Sequence, residues 1–155
     1  MNINLKKIDI NDGLDGLEVL KQIAITFEEE SPIPKEIDEY LYKGFLYLAK
    51  EEENICQRYW IELDNKKIGY ADIKYIQNDY DRKYLGNIGL IILKEYQKKG
   101  IGFIVIKLLI EKAKNEFNID KVQIATKVDN VSAIKLCEKL GADLIDSDEK
   151  NHYVI

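Results

Sequence analysis

The chain is poor in the residue types that usually announce a chemistry. Of its 155 residues two are cysteines, Cys56 and Cys137, and one is a histidine, His152. Two widely separated cysteines make no disulfide framework. Without a CxxC pair or a Cys/His cluster there is no metal-ligand pattern either, so plain thiols and no metal are expected. A Ser-His-Asp or Cys-His relay would have to run through His152, three residues from the last one, where a structural or solvated role is expected. Prolines number two. No repeat, low-complexity tract or Pro/Gly-rich linker divides the sequence, so one domain spanning 1–155 is expected. Long hydrophobic runs are missing as well. The stretch Ile101 to Ile110 contains Lys107 and is far too short for a membrane span. Met1 to Lys7 lacks the basic-then-apolar layout of a secretory signal, so a cytoplasmic location with no membrane partner is expected.

Positive charge is also scarce in one part of the chain. The net charge is −5; residues 1–60 hold 13 acidic and 7 basic side chains, whereas 61–155 hold 15 and 16. A nucleic-acid partner calls for a basic face and is not expected. The acidic runs Glu28-Glu29-Glu30, Asp38-Glu39 and Glu51-Glu52-Glu53 are either solvated helix faces or the recognition surface of a cationic partner.

What is present is a regular alternation of periods. Ile3 to Ile8 alternates as a strand. Leu17, Leu20, Ile23, Ala24 and Phe27 have helical spacing over Leu17–Glu29, and Ser31-Pro32-Ile33-Pro34 ends that helix. A second helix is expected from Lys35 to about Glu52. Strands follow at Arg58–Leu63 and Ile68–Ile76 around the turn Asp64 to Lys67, then a polar loop at Asn78–Lys83 and a strand at Tyr84–Leu93. A helix from about Gly102 to Phe117, a strand at Lys121–Thr126 and a helix at Ser132–Leu140 capped by Gly141 come next. Leu144-Ile145 and His152–Ile155 close the chain as short strands. The order implies a mixed α/β fold, a central sheet with helices on both faces.

The segment Gln97-Lys98-Lys99-Gly100-Ile101-Gly102 lies between a strand and a helix. The first turn of a helix has N–H groups without partners, and its dipole favours an anion there. Gly100 and Gly102 let a phosphate approach the backbone, and Lys98 and Lys99 add positive charge. The segment fits neither GxxxxGK[ST] nor GxGxxG, since position 105 is Val105. It does match Gln/Arg-x-x-Gly-x-Gly/Ala. About 28 residues after Gly102, Asn130-Val131-Ser132-Ala133 to Gly141-Ala142 matches Asn-x-x-Ala-(x)6–7-Gly-Phe except for Ala142 in place of Phe. In both signatures, in their order and in their spacing, residues 58–150 resemble the GNAT superfamily of N-acetyltransferases.

The resemblance implies a splayed sheet of six or seven strands, with acetyl-CoA as co-substrate in the gap between the fourth and fifth. It implies pantetheine on fourth-strand backbone around Leu90, Ile91 and Ile92, by position the groups of Leu90 and Ile92. The pyrophosphate would rest on Lys98 to Gly102 beyond Gln97, and Asn130 would touch the cofactor through its side chain. A primary amine (a small amine, an aminoglycoside-like sugar or a peptide amine, cationic if the acidic runs recognise it) would attack the thioester directly in a ternary complex.

The family's proton-transfer residues do not carry over. Its common tyrosine acid falls at Cys137, a candidate donor or a plain buried thiol. Its glutamate bases fall at about Ala125 and at Gly86-Asn87. Glu62 and Asp72 are therefore candidate bases acting through water, and Tyr75, Tyr84 and Tyr153 alternative donors, each with a structural role as its competitor. That gap leaves a second reading open, a non-catalytic acyl-CoA-binding regulatory module. A monomer or a homodimer is expected, the latter through His152–Ile155.

Overall fold

Asp64 and Asn65 both take positive φ (48° and 68°), the backbone of a tight hairpin turn that short polar residues tolerate. They join β2 (Cys56–Leu63) to β3 (Lys66–Lys74), and β1 (Ile3–Lys7) and β4 (Ile88–Ile92) flank that hairpin in the antiparallel order β1-β2-β3-β4. A second sheet is ordered β5-β7-β6, from β5 (Gln123–Lys127), β6 (Asp143–Ser147) and β7 (Lys150–Val154). The computed structural model describes residues 1–27 and 33–155. Glu28-Glu29-Glu30 and Ser31-Pro32, named above, lie outside them.

Four helices cover the sheets. α1 (Asp15–Phe27) and α2 (Glu39–Glu51) bury Leu20, Ile23, Tyr42 and Leu46 against Trp60 and Tyr70 on one face. α3 (Ile101–Asn115) buries Ile101, Val105, Leu109 and Ala113, a stripe at helical spacing, against Ile61, Ile73 and Ile88 on the other face. α4 (Val131–Leu140) joins this second core through Cys137. The expected α/β class, with helices on both faces, is the observed one. Among the described residues no helix is long and apolar enough to cross a membrane.

Among the differences from expectation are two element starts and the place of one strand. α2 starts at Glu39 rather than Lys35, because Asp38 takes an extended backbone and its Oδ1 accepts the Leu41 N–H at 2.8 Å. The strand expected from Tyr84 starts at Ile88. Residues 81–85 instead form one wide helical turn, begun where Asp81 N–H donates to Asn78 Oδ1 at 2.7 Å and closed where Gly86 N–H donates to the Asp81 carbonyl at 2.7 Å. Finally, β7 lies between β5 and β6 with both edges paired, so it offers no edge for dimer pairing.

The two sheets meet at a small junction. Gly86 bridges Ile124, and Asn87 N–H donates to the Gln123 carbonyl at 2.7 Å. The Asn87 side chain works in both directions: its Oδ1 accepts the Gln123 N–H at 2.8 Å and its Nδ2 donates to the Lys74 carbonyl at 2.9 Å. Gly86 has φ +70°, and a Cβ there would lie 2.7 Å from the Gln123 carbonyl oxygen, so only glycine allows this approach. Past the junction β4 pairs with β3 alone and β5 with β7 alone, and a gap opens between them.

Candidate active site

The gap is a cleft of about 490 Å³. Its β4 wall is a free strand edge. Leu93 N–H donates back to Ile68 and the Asn87 carbonyl accepts from Lys74, so the backbone groups of Gly89 and Ile91 turn toward β3. By alternation those of Leu90 and Ile92 face the gap. The backbone groups of Leu90 and Ile92 thus border the cleft, whereas Ile91 presents its side chain to the cleft and its peptide groups to Tyr70.

At the end of β4 the loop turns through two left-handed residues, Lys98 (φ 59°) and Gly100 (φ 80°). A left-handed residue next to a right-handed one turns successive N–H groups toward one point, an anion nest. Gly100 is the N-cap of α3 and supplies no capping side chain, and the first turn of α3 has no acidic residue to compete for an anion. Gln97 holds this loop in place: its Nε2 donates to the Ile92 carbonyl at 2.8 Å. Ile101 has its side chain buried in the core, which leaves its backbone N–H as the group it can offer. A Cβ at Gly102 would lie 3.8 Å from Ile92 Cδ1, an ordinary contact, so alanine would fit there.

Across the gap, Asn130 caps α4 with its Oδ1, which accepts the Ala133 N–H at 3.1 Å. That use leaves its Nδ2 as the atom for a ligand. Thr126 was not anticipated. It lines the cleft, is only 6% exposed, and its Oγ1 has no partner among the described residues. A buried hydroxyl without a partner is costly, and a ligand with amide groups would supply one. The strand edge, the anion nest and Thr126 together fit the shape and chemistry of acetyl-CoA: an amide-bearing arm leading to a pyrophosphate.

The opposite face of the cleft carries Asp72. Its carboxylate accepts from Lys74 Nζ at 2.6 Å, and both side chains lie on the α1/α2 face of β3 together with Tyr70. Gly89, the β4 neighbour of Asp72, makes room for this pair, since a Cβ there would sit 3.0 Å from Asp72 Oδ1. Tyr84 also borders the cleft. Cys137 borders it from the α4 side with 1% exposure, and burial pushes its thiol up to about 11.

The remaining candidates lie elsewhere. Glu62 is buried beside Lys67, whose Nζ lies 3.6 Å from it and 2.7 Å from Asp15; this group ties α1 to the hairpin and does not line the cleft. Tyr75 stacks on Phe117 at 4.6 Å between centroids and donates its hydroxyl to the Glu53 carbonyl. Tyr153 is buried in the core under α3 and α4. Among the described residues, members of the other two acidic runs are likewise engaged elsewhere. Asp38 caps α2, Glu39 pairs with Lys43, Glu52 with Arg58 and Glu53 with Lys7, and none of them lines the cleft. On the β6–β7 hairpin, Asp146, Asp148 and His152 bring one possible ligand atom each within 4.8 Å of one another, away from the cleft lining.

The sequence profile described as the acetyltransferase (GNAT) family matches residues 19–142. An N-alpha-acetyltransferase of Saccharolobus solfataricus is 28% identical over 132 residues, which cover 84% of this chain and 77% of that protein. The L-amino acid N-acetyltransferase AaaT of Escherichia coli is 23% identical over 88 residues, covering 57% of this chain and 54% of that protein. Among solved structures, the Campylobacter jejuni N-acetyltransferase PseH in complex with acetyl coenzyme A superposes with a TM-score of 0.70 at 17% identity, covering 99% of this chain and 98% of that one.

Proposed function

Because the chain belongs to the acetyltransferase (GNAT) family, and is an acetyltransferase using acetyl-CoA, we propose that it passes the acetyl group directly to a primary amine in a ternary complex. Residues 1–155 act as one catalytic domain in this reading. The observation that carries it is the position of Asp72, the one carboxylate among the described residues lining the cleft. It lies on the face away from α3, across the glycine gap at Gly89.

When bound, acetyl-CoA supplies an activated thioester. The backbone of Lys98 to Gly102 and the α3 N-terminus hold its pyrophosphate. The outward groups of Leu90 and Ile92 hold the pantetheine arm on one side, with Thr126 and Asn130 on the other. An outward N–H of β4 also faces the negative charge that develops on the carbonyl oxygen. The amine approaches from the α1/α2 face. Asp72 holds its ammonium group and accepts, directly or through one water, the proton that the ammonium must lose before the neutral amine can attack. Lys74 keeps the carboxylate oriented by its 2.6 Å contact.

Cys137 is a poor proton donor in this scheme. A free thiol titrates near ~8.5, so a thiol at about 11 would give its proton uphill to a leaving thiolate. Solvent protonates the departing thiolate instead, and Cys137 packs α4 against the sheet.

The test is CoA release from acetyl-CoA against a panel of primary amines, with acetyl-CoA binding followed by calorimetry. Turnover of at least one amine that falls sharply in Asp72→Asn, with acetyl-CoA binding intact, is the expected result. Binding without turnover on a broad panel would instead favour a non-catalytic acyl-CoA-binding module.

A further inference from the structure

Asp72 accounts for the ammonium end of an acceptor and leaves the rest of it unaddressed. Along the cleft, the side chains on either side of Asp72 are apolar. On β3, Tyr70 stands two residues away on the same face, with its β4 partner Ile91 beside it. Two strand residues span ~7 Å, so this pair borders one end of the open floor at Gly89. The other end is the junction, where Gly86 bridges Ile124 three residues before Gly89. There Tyr84 and Leu85 come off the wide helical turn at 81–85 and line the same cleft.

Both apolar ends are held from behind. The Tyr70 ring is 8% exposed and meets Phe45 of α2 edge-on, with 6.1 Å between centroids. Tyr84 rests against Tyr80 at 4.9 Å, on a turn that the Asn78–Asp81 contact fixes. Leu85, by contrast, is 42% exposed, and Ile91 and Tyr84 are half-buried. Apolar surface left to water beside a reacting group is surface that a bound substrate covers with a gain in affinity. Charge adds little there. Lys74 Nζ is committed to Asp72 at 2.6 Å, and among the described residues no second carboxylate lines the cleft to receive a second ammonium.

We propose that the acceptor is a primary amine with an apolar body next to its amino group. The ammonium sits at Asp72, and an aliphatic or aromatic group lies over Gly89 between the Tyr70–Ile91 pair and Leu85. This rests on the acetyl-transfer reading above and departs from the cationic acceptor considered for the acidic runs. A polyamine would lay its further charges against these apolar walls, where their desolvation has no compensating partner. A free apolar amine and the first residue of a peptide share this chemistry.

The test compares acceptors that keep the amino group and change only what stands next to it. Leucinamide and phenylalaninamide are set against glycinamide and serinamide, and tripeptides beginning with leucine against the same peptides beginning with serine. Spermidine serves as the cationic control. Acetyl-CoA affinity is measured by calorimetry on the same samples. We expect kcat/KM to favour the apolar member of at least one set by ~10-fold or more, the effect of covering one apolar side chain. A preference among the amides identifies a free amine, and one confined to the peptides identifies a chain terminus. In Leu85→Ser that ratio should fall, with acetyl-CoA affinity unchanged; the position is exposed, so the core is not disturbed. Leu85→Ser/Ile91→Thr, which keeps a β-branched residue in β4, should bring the ratio near one. Equal use of both members of every set, a preference for serinamide or spermidine in the native enzyme, or a ratio that survives the double substitution each overturns the proposal. A loss of acetyl-CoA affinity in Leu85→Ser also overturns it, since that side chain would then serve the cofactor. If acetyl-CoA binds and no amine is acetylated, it is the transfer reading that has failed, and the proposal goes with it.

Discussion

The two faces of the cleft are built from different materials. Toward α3 and α4 the polar groups are mainly backbone, the free edge of β4, two left-handed residues and the first turn of α3, with the Thr126 and Asn130 side chains added. Toward α1 and α2 it consists of side chains, Asp72 and Lys74 from β3, Lys127 from β5 and Lys150 from β7. Backbone groups are the same in every protein, so the donor face depends on conformation and requires glycine only where conformation or close approach demands it. The acceptor face depends on which side chains three separate strands turn toward a gap. The first can stay constant while the second is redesigned for a different amine.

The largest effect should come from filling the anion seat. Gly100 is exposed, with no atom within 4 Å of an added Cβ, so a side chain there meets no steric obstacle in the protein itself. Gly100→Asp places a carboxylate where the pyrophosphate belongs, and calorimetry should show acetyl-CoA affinity reduced by ~10³-fold or more. Gly100→Ala separates charge from backbone strain. It bears only the left-handed penalty of about 1–2 kcal/mol, and its loss of affinity should be far smaller. Equal losses in the two variants would show that the loop conformation matters and the anion seat does not.

On the other face, Asp72→Asn should lower kcat/KM by ~10²–10³-fold, the range for a positioned base. The same change leaves the largely buried Lys74 without its partner, so some loss of stability is expected with it. Asp72→Asn/Lys74→Met removes that stray charge. It should recover thermal stability without recovering activity. If activity returns with stability, Asp72 is a structural residue and the two faces do not divide the work as described.

Asn87 joins the two faces and should show up in stability first. Asn87→Ala removes the Nδ2 contact to Lys74 and the Oδ1 contact to Gln123, leaving buried backbone groups unmatched. At about 1–3 kcal/mol for a buried group left unsatisfied, Tm should fall by roughly 5–10 °C in a scanning measurement. A negligible change would mean that the Gly86–Ile124 bridge alone sets the opening of the gap.

The same division explains what could be read in the residues alone. The order of elements and the glycine loop were legible, because each rests on local periodicity or on a local backbone demand; the splayed sheet was implied by the family resemblance alone. The start of β4 was not. Tyr84 and Leu85 are strand-like residues, but the Asn78–Asp81 contact winds them into a turn. Glu62 and Asp72 looked alike as candidate bases on one hairpin. What separates them is Lys67, buried beside Glu62, and Gly89, which opens space beside Asp72. Thr126 was not legible, since its place in the cleft depends on the register of β5 with β7, set by strands more than twenty residues apart.

Cys137 should give the smallest effect, and it marks the boundary between the faces. It sits at the family's usual acid position, yet burial holds its thiol near 11, so at pH 8 only ~0.1% is thiolate, against about a quarter for a free thiol near 8.5. Reaction with iodoacetamide in the native protein should therefore be slower than that of a free thiol by ~10²-fold, before any steric protection is counted. Cys137→Ala should change kcat by less than ~3-fold, because solvent protonates a thiolate of ordinary basicity without help. A tenfold fall in kcat, with the alkaline limb of the pH profile moved in the variant, would make the thiol a proton donor. Side-chain chemistry would then extend to the donor face, which the present geometry assigns to backbone.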